Sequence, residues 1–186
     1  RAQGIAGQIG ARMMAIAAEG YRRRVYLAPT FEHEQAAQVS RPENVPETEL
    51  PAAALGFRVQ GYGMRHHADL FTPRQLTALT TFSDLVGEAR ERVYADAVAA
   101  GLSEGESAAD RLEAGGTGAA AYADSVAVYL GLAVSRVVST NSNLCRWRPD
   151  ASKESVNDTF GMQTLSMVWD FAEGMPLTPG PPDLGW

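Results

Sequence analysis

The chain has one cysteine in 186 residues, Cys145. An intrachain disulfide is therefore impossible, and a disulfide-stapled secreted scaffold is excluded. Histidine is nearly as scarce, with His33, His66 and His67 the whole set. There is no CxxC pair and no HExxH string, and adjacent His66 and His67 diverge on any regular element, so the ligand spacing of a zinc site is missing. Cys145 has no positional tie to a base. Gly4, Gly7 and Gly10 follow no strand, so they make no dinucleotide fingerprint, and Gly115-Gly116-Thr117-Gly118 lacks the lysine of a P-loop. Long apolar runs are rare. Only 119–138 reaches helix length, and it contains Asp124 and Arg136, which fits a buried core helix better than a membrane span. The start, RAQGIAGQIGARMM, lacks the charged-then-apolar layout of a signal peptide, and PLTPGPPDLGW at the end reads as a linker. The expectation is an internal fragment of a longer cytoplasmic protein.

What is present is ordinary for a folded chain: 45% hydrophobic and 20% charged residues. The net charge of −6 argues against nucleic-acid binding driven by charge alone. The charge is unevenly spread, however. Residues 1–75 carry 9 Arg against 7 acids, and residues 76–186 carry 7 Lys/Arg against 15 acids. A polyanion should therefore meet the N-terminal third, where Arg22, Arg23 and Arg24 are consecutive; a solvated strand or loop edge explains the same run.

Periodicity predicts a mainly α fold. Ile5, Ile9, Met13 and Ile16 mark a first helix over 2–19, weakened by three glycines at roughly 1 kcal/mol each. Alternation over 21–27 predicts a short strand that pairs with a second near 55–62. Thr30 can cap a helix from Phe31 to about Val39, and 40–51 reads as a surface loop. Thr72-Pro73-Arg74-Gln75 is the clearest helix start, with Thr as N-cap, Pro at N1 and Gln at N3. Leu76, Leu79, Phe82, Leu85, Val86, Ala89, Val93 and Ala97 continue it as one apolar stripe to Gly101. A second long helix over about 119–139 is apolar nearly all round and should lie at the centre of the core. The two should pack as an antiparallel pair, about 72–100 against 119–139. A last helix is expected over 156–173. The corresponding domains are an N-terminal arm, 1–66, a helical core, 67–174, and a Pro/Gly-rich tail, 175–186.

Two polar and aromatic clusters could carry chemistry. Asn141, Asn143, Arg146, Trp147 and Arg148 follow the central helix, and such side chains make base-edge contacts and stacks. They equally suit a helix C-terminus, where Asn caps and Arg offsets the dipole. Asp170 and Glu173, three apart on the expected last helix, could do acid–base work, or simply form a solvated helix end.

Several longer phrases then stand out: Leu70-Phe71-Thr72-Pro73-Arg74-Gln75-Leu76 with Thr81-Phe82-Ser83-Asp84-Leu85, Asn141-Ser142-Asn143-Leu144-Cys145-Arg146-Trp147, Asn157-Asp158-Thr159-Phe160-Gly161-Met162-Gln163, and Met167-Val168-Trp169-Asp170-Phe171-Ala172-Glu173. In this order they resemble the large adenine-specific DNA methylases that carry a zinc-ribbon module and an N-terminal domain of unknown function, over most of residues 5–173. The resemblance implies a parent that uses S-adenosylmethionine, and zinc in its ribbon. It also limits this chain. The family's Asp-Pro-Phe-x-Gly-Gly-Gly cofactor motif, its Asp/Asn-Pro-Pro-Tyr tetrapeptide and its ribbon cysteines are all absent, and Pro181-Pro182-Asp183 has the wrong order. Neither catalytic, cofactor nor metal residues are therefore assigned here. By this resemblance the chain looks like the insert between cofactor and catalytic halves, a slot that in one ordering of DNA aminomethyltransferases holds target recognition. Two functions follow as expectations. One is a DNA-contacting insert using Arg22, Arg23, Arg24, Asn141, Asn143, Arg146, Trp147 and Arg148 on duplex DNA. The other is a helical domain that packs on the remainder of the methylase, leaving an exposed apolar patch and self-association when isolated.

Overall fold

A computed structural model describes residues 1–105, 107–150 and 153–177. The elements run α1 Ala2–Ile5, β1 Ile16–Gly20, β2 Arg23–Leu27, α2 Phe31–Ala36, α3 Pro73–Ala99, α4 Ala119–Thr140, β3 Trp147–Asp150 and β4 Lys153–Val156. Short 3-10 turns lie at Val59–Tyr62, His67–Leu70, Ala108–Asp110 and Leu112–Ala114. The chain is 42% helical and 12% strand, with two two-stranded sheets. The chain is thus mixed, and the expected mainly α class holds only in part, through the long helix pair.

The two long helices stand where the sequence placed them. Thr72 Oγ1 accepts the Gln75 N–H at 3.2 Å while Gln75 Oε1 accepts the Thr72 N–H at 2.8 Å. This reciprocal capping box satisfies two donors that a helix start leaves unpaired. At its other end α3 stops at Gly101, φ 94°, with the Leu102 N–H bonded to the Ala97 carbonyl. A left-handed glycine is the cheapest way to turn a chain out of a helix.

Contacts divide the chain into two compact units: Ala78–Val138, and Arg1–Thr77 together with the described residues from Ser139 onward. The expected Pro/Gly-rich tail lies, beyond 177, outside the described residues. In the helical unit α3 and α4 run antiparallel. The Ala119 N–H donates to the Ser103 carbonyl at 3.0 Å just past the end of α3, and farther along Arg90 reaches Asp124 at 2.8 Å. Ala97, Ala119, Ala120, Ala121 and Ala123 are all buried, and such small side chains let backbones approach closely.

Asp124 is the polar centre of this unit, its side chain 11% exposed. It accepts from Arg90 Nε and Arg111 Nε at 2.8 Å each and from the Leu112 N–H at 3.1 Å. Burial works against its charge, but the bond from Arg90 and then those from Leu112 and Arg111 outweigh it. The carboxyl is held below its usual range.

The central position expected of α4 is not found. Its buried side is the alanine face, while Tyr122, Tyr129 and Leu132 are 55%, 76% and 61% exposed. A helix apolar on every side gives no polar stripe to distinguish inside from outside. By length and composition alone α4 could cross a membrane, and 11% of its most apolar stretch is buried.

The other unit draws its core from distant, mostly irregular segments: Leu50, Val59, Leu70, Leu144, Leu165 and Val168, with Phe57, Met64, Phe71 and Phe171 against them. Backbone hydrogen bonds tie these segments: Leu50 N–H to the Arg65 carbonyl at 2.7 Å, Arg58 N–H to Leu165 at 2.9 Å, and Asn143 N–H to Leu70 at 2.8 Å.

Three expected elements are replaced here. The helix over 2–19 stops after Ile5, because Gly7 takes φ 68°. Residues 16–20 then form β1, which pairs antiparallel with β2, Ile16 opposite Leu27 and Gly20 opposite Arg23. The strand at 21–27 is therefore present as β2, but its partner is β1 and not 55–62. That segment is a 3-10 turn between Gly56 (φ 82°) and Gly63 (φ 97°), with Val59 fully buried. The helix over 156–173 is absent as well. After β4 the backbone bonds to other segments instead of itself: Asn157 N–H to Arg146, Thr159 N–H to Ser139 and Ala172 N–H to Cys145, all 2.8–2.9 Å. Leu165 and Val168 are buried, while Phe160 and Trp169 are exposed, so the helix-like spacing does not define a helix face.

Candidate nucleic-acid interface

The β1–β2 hairpin turns through Tyr21 and Arg22. Gly20 is required beside the turn, since an added Cβ would lie 2.9 Å from the Arg23 carbonyl oxygen and from a Val25 methyl. Arg22 takes φ 55°, the one non-glycine residue with positive φ among those described. It therefore bears strain that most L-residues avoid. Tyr21 is 86% exposed, and the Arg22 guanidinium lies 5.3 Å from its ring centre.

The second hairpin, β3–β4, pairs Trp147 with Val156 and Arg148 with Ser155. It meets the first through aromatic contacts. Tyr26 packs edge-on against Trp147 with ring centres 6.2 Å apart, and its hydroxyl donates to Glu154 at 2.7 Å. That bond raises the Tyr26 phenol above its usual range. Arg24 lies over the Trp147 ring at 5.1 Å. The two basic clusters singled out in the sequence are thus brought together by this guanidinium–indole stack, between residues 123 positions apart. The arrangement offers cations and aromatic faces together, the combination that binds phosphates and bases.

The eight candidate residues separate into two groups. Arg22, Arg23, Arg146 and Arg148 are exposed, and Arg24 and Trp147 are half-buried; Arg148 donates to Asn157 Oδ1 at 2.7 Å. Asn141 is 4% exposed and points its amide at Thr140. Asn143 Oδ1 is buried and has no hydrogen-bond partner among the described residues. Asn141 thus presents no free edge to a base, and Asn143 withholds its carbonyl oxygen. The sequence reading missed Tyr21 and Tyr26. Alternation placed Tyr26 on one strand face with Arg22 and Arg24, but gave no sign that it would meet Trp147.

Acid–base and nucleophilic chemistry find no support in the geometry. Glu173 is held by Arg74, Nε and Nη2 at 2.8 Å each, and by Gln75 Nε2 at 2.9 Å. The bond to Glu173 raises the Arg74 guanidinium, against the opposing effect of burial. With no helix over 156–173, Asp170 and Glu173 do not share a helix face. Cys145 lies buried among Ser142 and Thr159, with Thr159 Oγ1 3.1 Å from its Sγ and 2.6 Å from Ser142 Oγ. His66 and Asp69 pair at 3.4 Å. Burial opposes the Asp69 charge, but the His66 and Arg65 backbone donors prevail and lower its carboxyl.

No group of three or more His, Cys, Asp or Glu able to hold a metal occurs among the described residues. An open hollow of about 450 Å³ is lined by Arg12, Met13, Met14, Pro29 and Glu34. Both sheets are antiparallel hairpins, so they form no crevice at parallel strand ends. No protein-family model, curated protein or solved structure matches the chain.

Proposed function

We propose that this chain is a non-catalytic, DNA-contacting segment of an S-adenosylmethionine-dependent adenine-specific DNA methyltransferase. It binds through Arg22, Arg23, Arg24, Arg146, Trp147 and Arg148. The observation that carries the reading is the Arg24–Trp147 stack, which brings the Arg22–Arg24 run beside the Arg146–Arg148 segment. The methylase-like phrases of the sequence supply the class of parent. Chemistry on an adenine amine requires the base to leave the duplex, so such a parent needs clamps on the flanking backbone. Methyl donor and zinc belong to the remainder of that parent, and no residue here is assigned to either.

A salt titration of duplex-DNA binding tests the reading. Replacing Arg22, Arg23, Arg24, Arg146 and Arg148 together with Gln should flatten the dependence of log K on log salt by several units, since each neutralised phosphate contributes about 0.9. An unchanged slope and affinity would end the proposal.

A second reading is favoured by the exposed Tyr122, Tyr129 and Leu132 on α4. In it the helix pair packs on the remainder of a larger protein and makes no DNA contact. Contiguous apolar surface of this kind marks an interaction site. The same titration distinguishes the two, because a packing surface leaves the salt slope untouched.

A further inference from the structure

The tip of the β1–β2 hairpin carries more than charge. Tyr21 is the most exposed tyrosine described, and its ring is backed by the Arg22 guanidinium at 5.3 Å. The same motif recurs at Trp147, backed by Arg24 at 5.1 Å. In each pair the cation occupies one side of the ring. Arg22 holds its place at φ 55°, a conformation glycine or asparagine would adopt with less strain. A strained position kept by a long cationic side chain points to a use for that side chain.

We infer that Tyr21 is a stacking platform for an unpaired base, and that the preferred ligand of this face is DNA with an unstacked nucleotide. Phosphate contacts come from Arg23, Arg146 and Arg148, which position any duplex. The Tyr21 ring, with Arg22 behind it, adds a contact that a fully paired helix offers only at its ends. Aromatic stacking is tolerant of base identity, so the hairpin tip reads unpairing rather than sequence. This inference rests on the DNA-contact reading and narrows its target.

The test is fluorescence anisotropy of the protein with three fluorescein-labelled probes: single-stranded DNA, a matched duplex, and the same duplex with one bulged adenine. The wild type should bind the bulged and single-stranded probes more tightly than the matched duplex. Tyr21→Ala should weaken both by about 5- to 150-fold, the range of one base–aromatic stack, and leave the matched duplex within about twofold. Tyr21→Phe keeps the ring and should retain wild-type affinity, which separates lost stacking from a misfolded hairpin. Arg22→Gly relieves the backbone strain and should keep the far-UV spectrum while weakening the bulged probe. If Tyr21→Ala affects all three probes equally, or none, the stacking inference is overturned. If Arg23→Gln, Arg146→Gln and Arg148→Gln together also leave matched-duplex binding unchanged, the DNA-contact reading fails with it.

Discussion

The two compact units hold themselves together by different means. In Ala78–Val138, two long helices meet along alanines and one buried carboxylate, and the large apolar side chains of α4 stand in solvent. In the other unit the large apolar side chains are inside, gathered from segments with little regular structure, and cross-segment backbone bonds do the work that helices and sheets do elsewhere. The difference teaches that burial and regularity are separate properties. A helix needs only its own backbone bonds to be recognisable, whereas an irregular core must satisfy each buried N–H and C=O from a distant segment.

Substitutions in each unit can break that contrast. The largest loss should come from Leu70→Ala, since Leu70 is fully buried in the irregular core. We expect about 3–4 kcal/mol in urea unfolding. Hydrogen exchange should accelerate around 50–70 and 144–168 more than in the middle of α3 and α4. Equal acceleration in both would dissolve the distinction between the units. Asp124→Ala should follow, at about 3 kcal/mol, because it removes the largely buried carboxylate that Arg90 and Arg111 share. Here the exchange should quicken in α3 and α4. The lowered carboxyl of Asp124 adds a pH signature. Its contribution is present above the unfolded carboxylate range near 4 and is lost as pH falls through the lower folded value. Acid unfolding of wild type should thus be steeper below about pH 4 than that of Asp124→Asn, and superimposable curves would refute the assignment.

Thr159→Val should cost less, about 1–2 kcal/mol, by leaving Ser142 and Cys145 without their buried hydroxyl partner. A neutral result in thermal unfolding would remove that cluster from the account of the irregular unit. The smallest effect is expected from Tyr129→Lys with Leu132→Gln. Both side chains face solvent, so stability should stay within about 0.5 kcal/mol. Sedimentation velocity should nevertheless show less self-association at high protein concentration. A large loss of stability would mean that the α4 face is packed after all.

How much could be read from the sequence follows the same division. Thr72 and Gln75 announced the start of α3 because capping is local chemistry, settled within four residues. The ends of α3 and α4 came within a residue or two for the same reason. The segment 156–173 misled because Leu165, Val168 and Phe171 are spaced as on a helix, while the carbonyls that accept its N–H groups sit on Ser139, Cys145 and Arg146. Tertiary bonds of that kind have no signature in a window of the chain. The hairpin at 16–27 was half legible: alternation revealed β2, but the glycines before it were read as a weakened helix instead of an approach to β1. At the candidate interface, residue type identified Arg22–Arg24 and Arg146–Arg148 as two clusters. Only the fold could make them neighbours and withdraw Asn141 and the Asn143 side-chain carbonyl from solvent.

The core of the irregular unit also dictates an order of events. Leu165 and Val168 come from the far end of the chain, yet they close over Val59 and Leu70. During synthesis the first 77 residues must wait, their apolar side chains uncovered, while the intervening helix pair emerges and folds from local contacts. A polypeptide cut short at Val156 would hold that waiting state permanently, so it should be the form that chaperones retain and proteases remove.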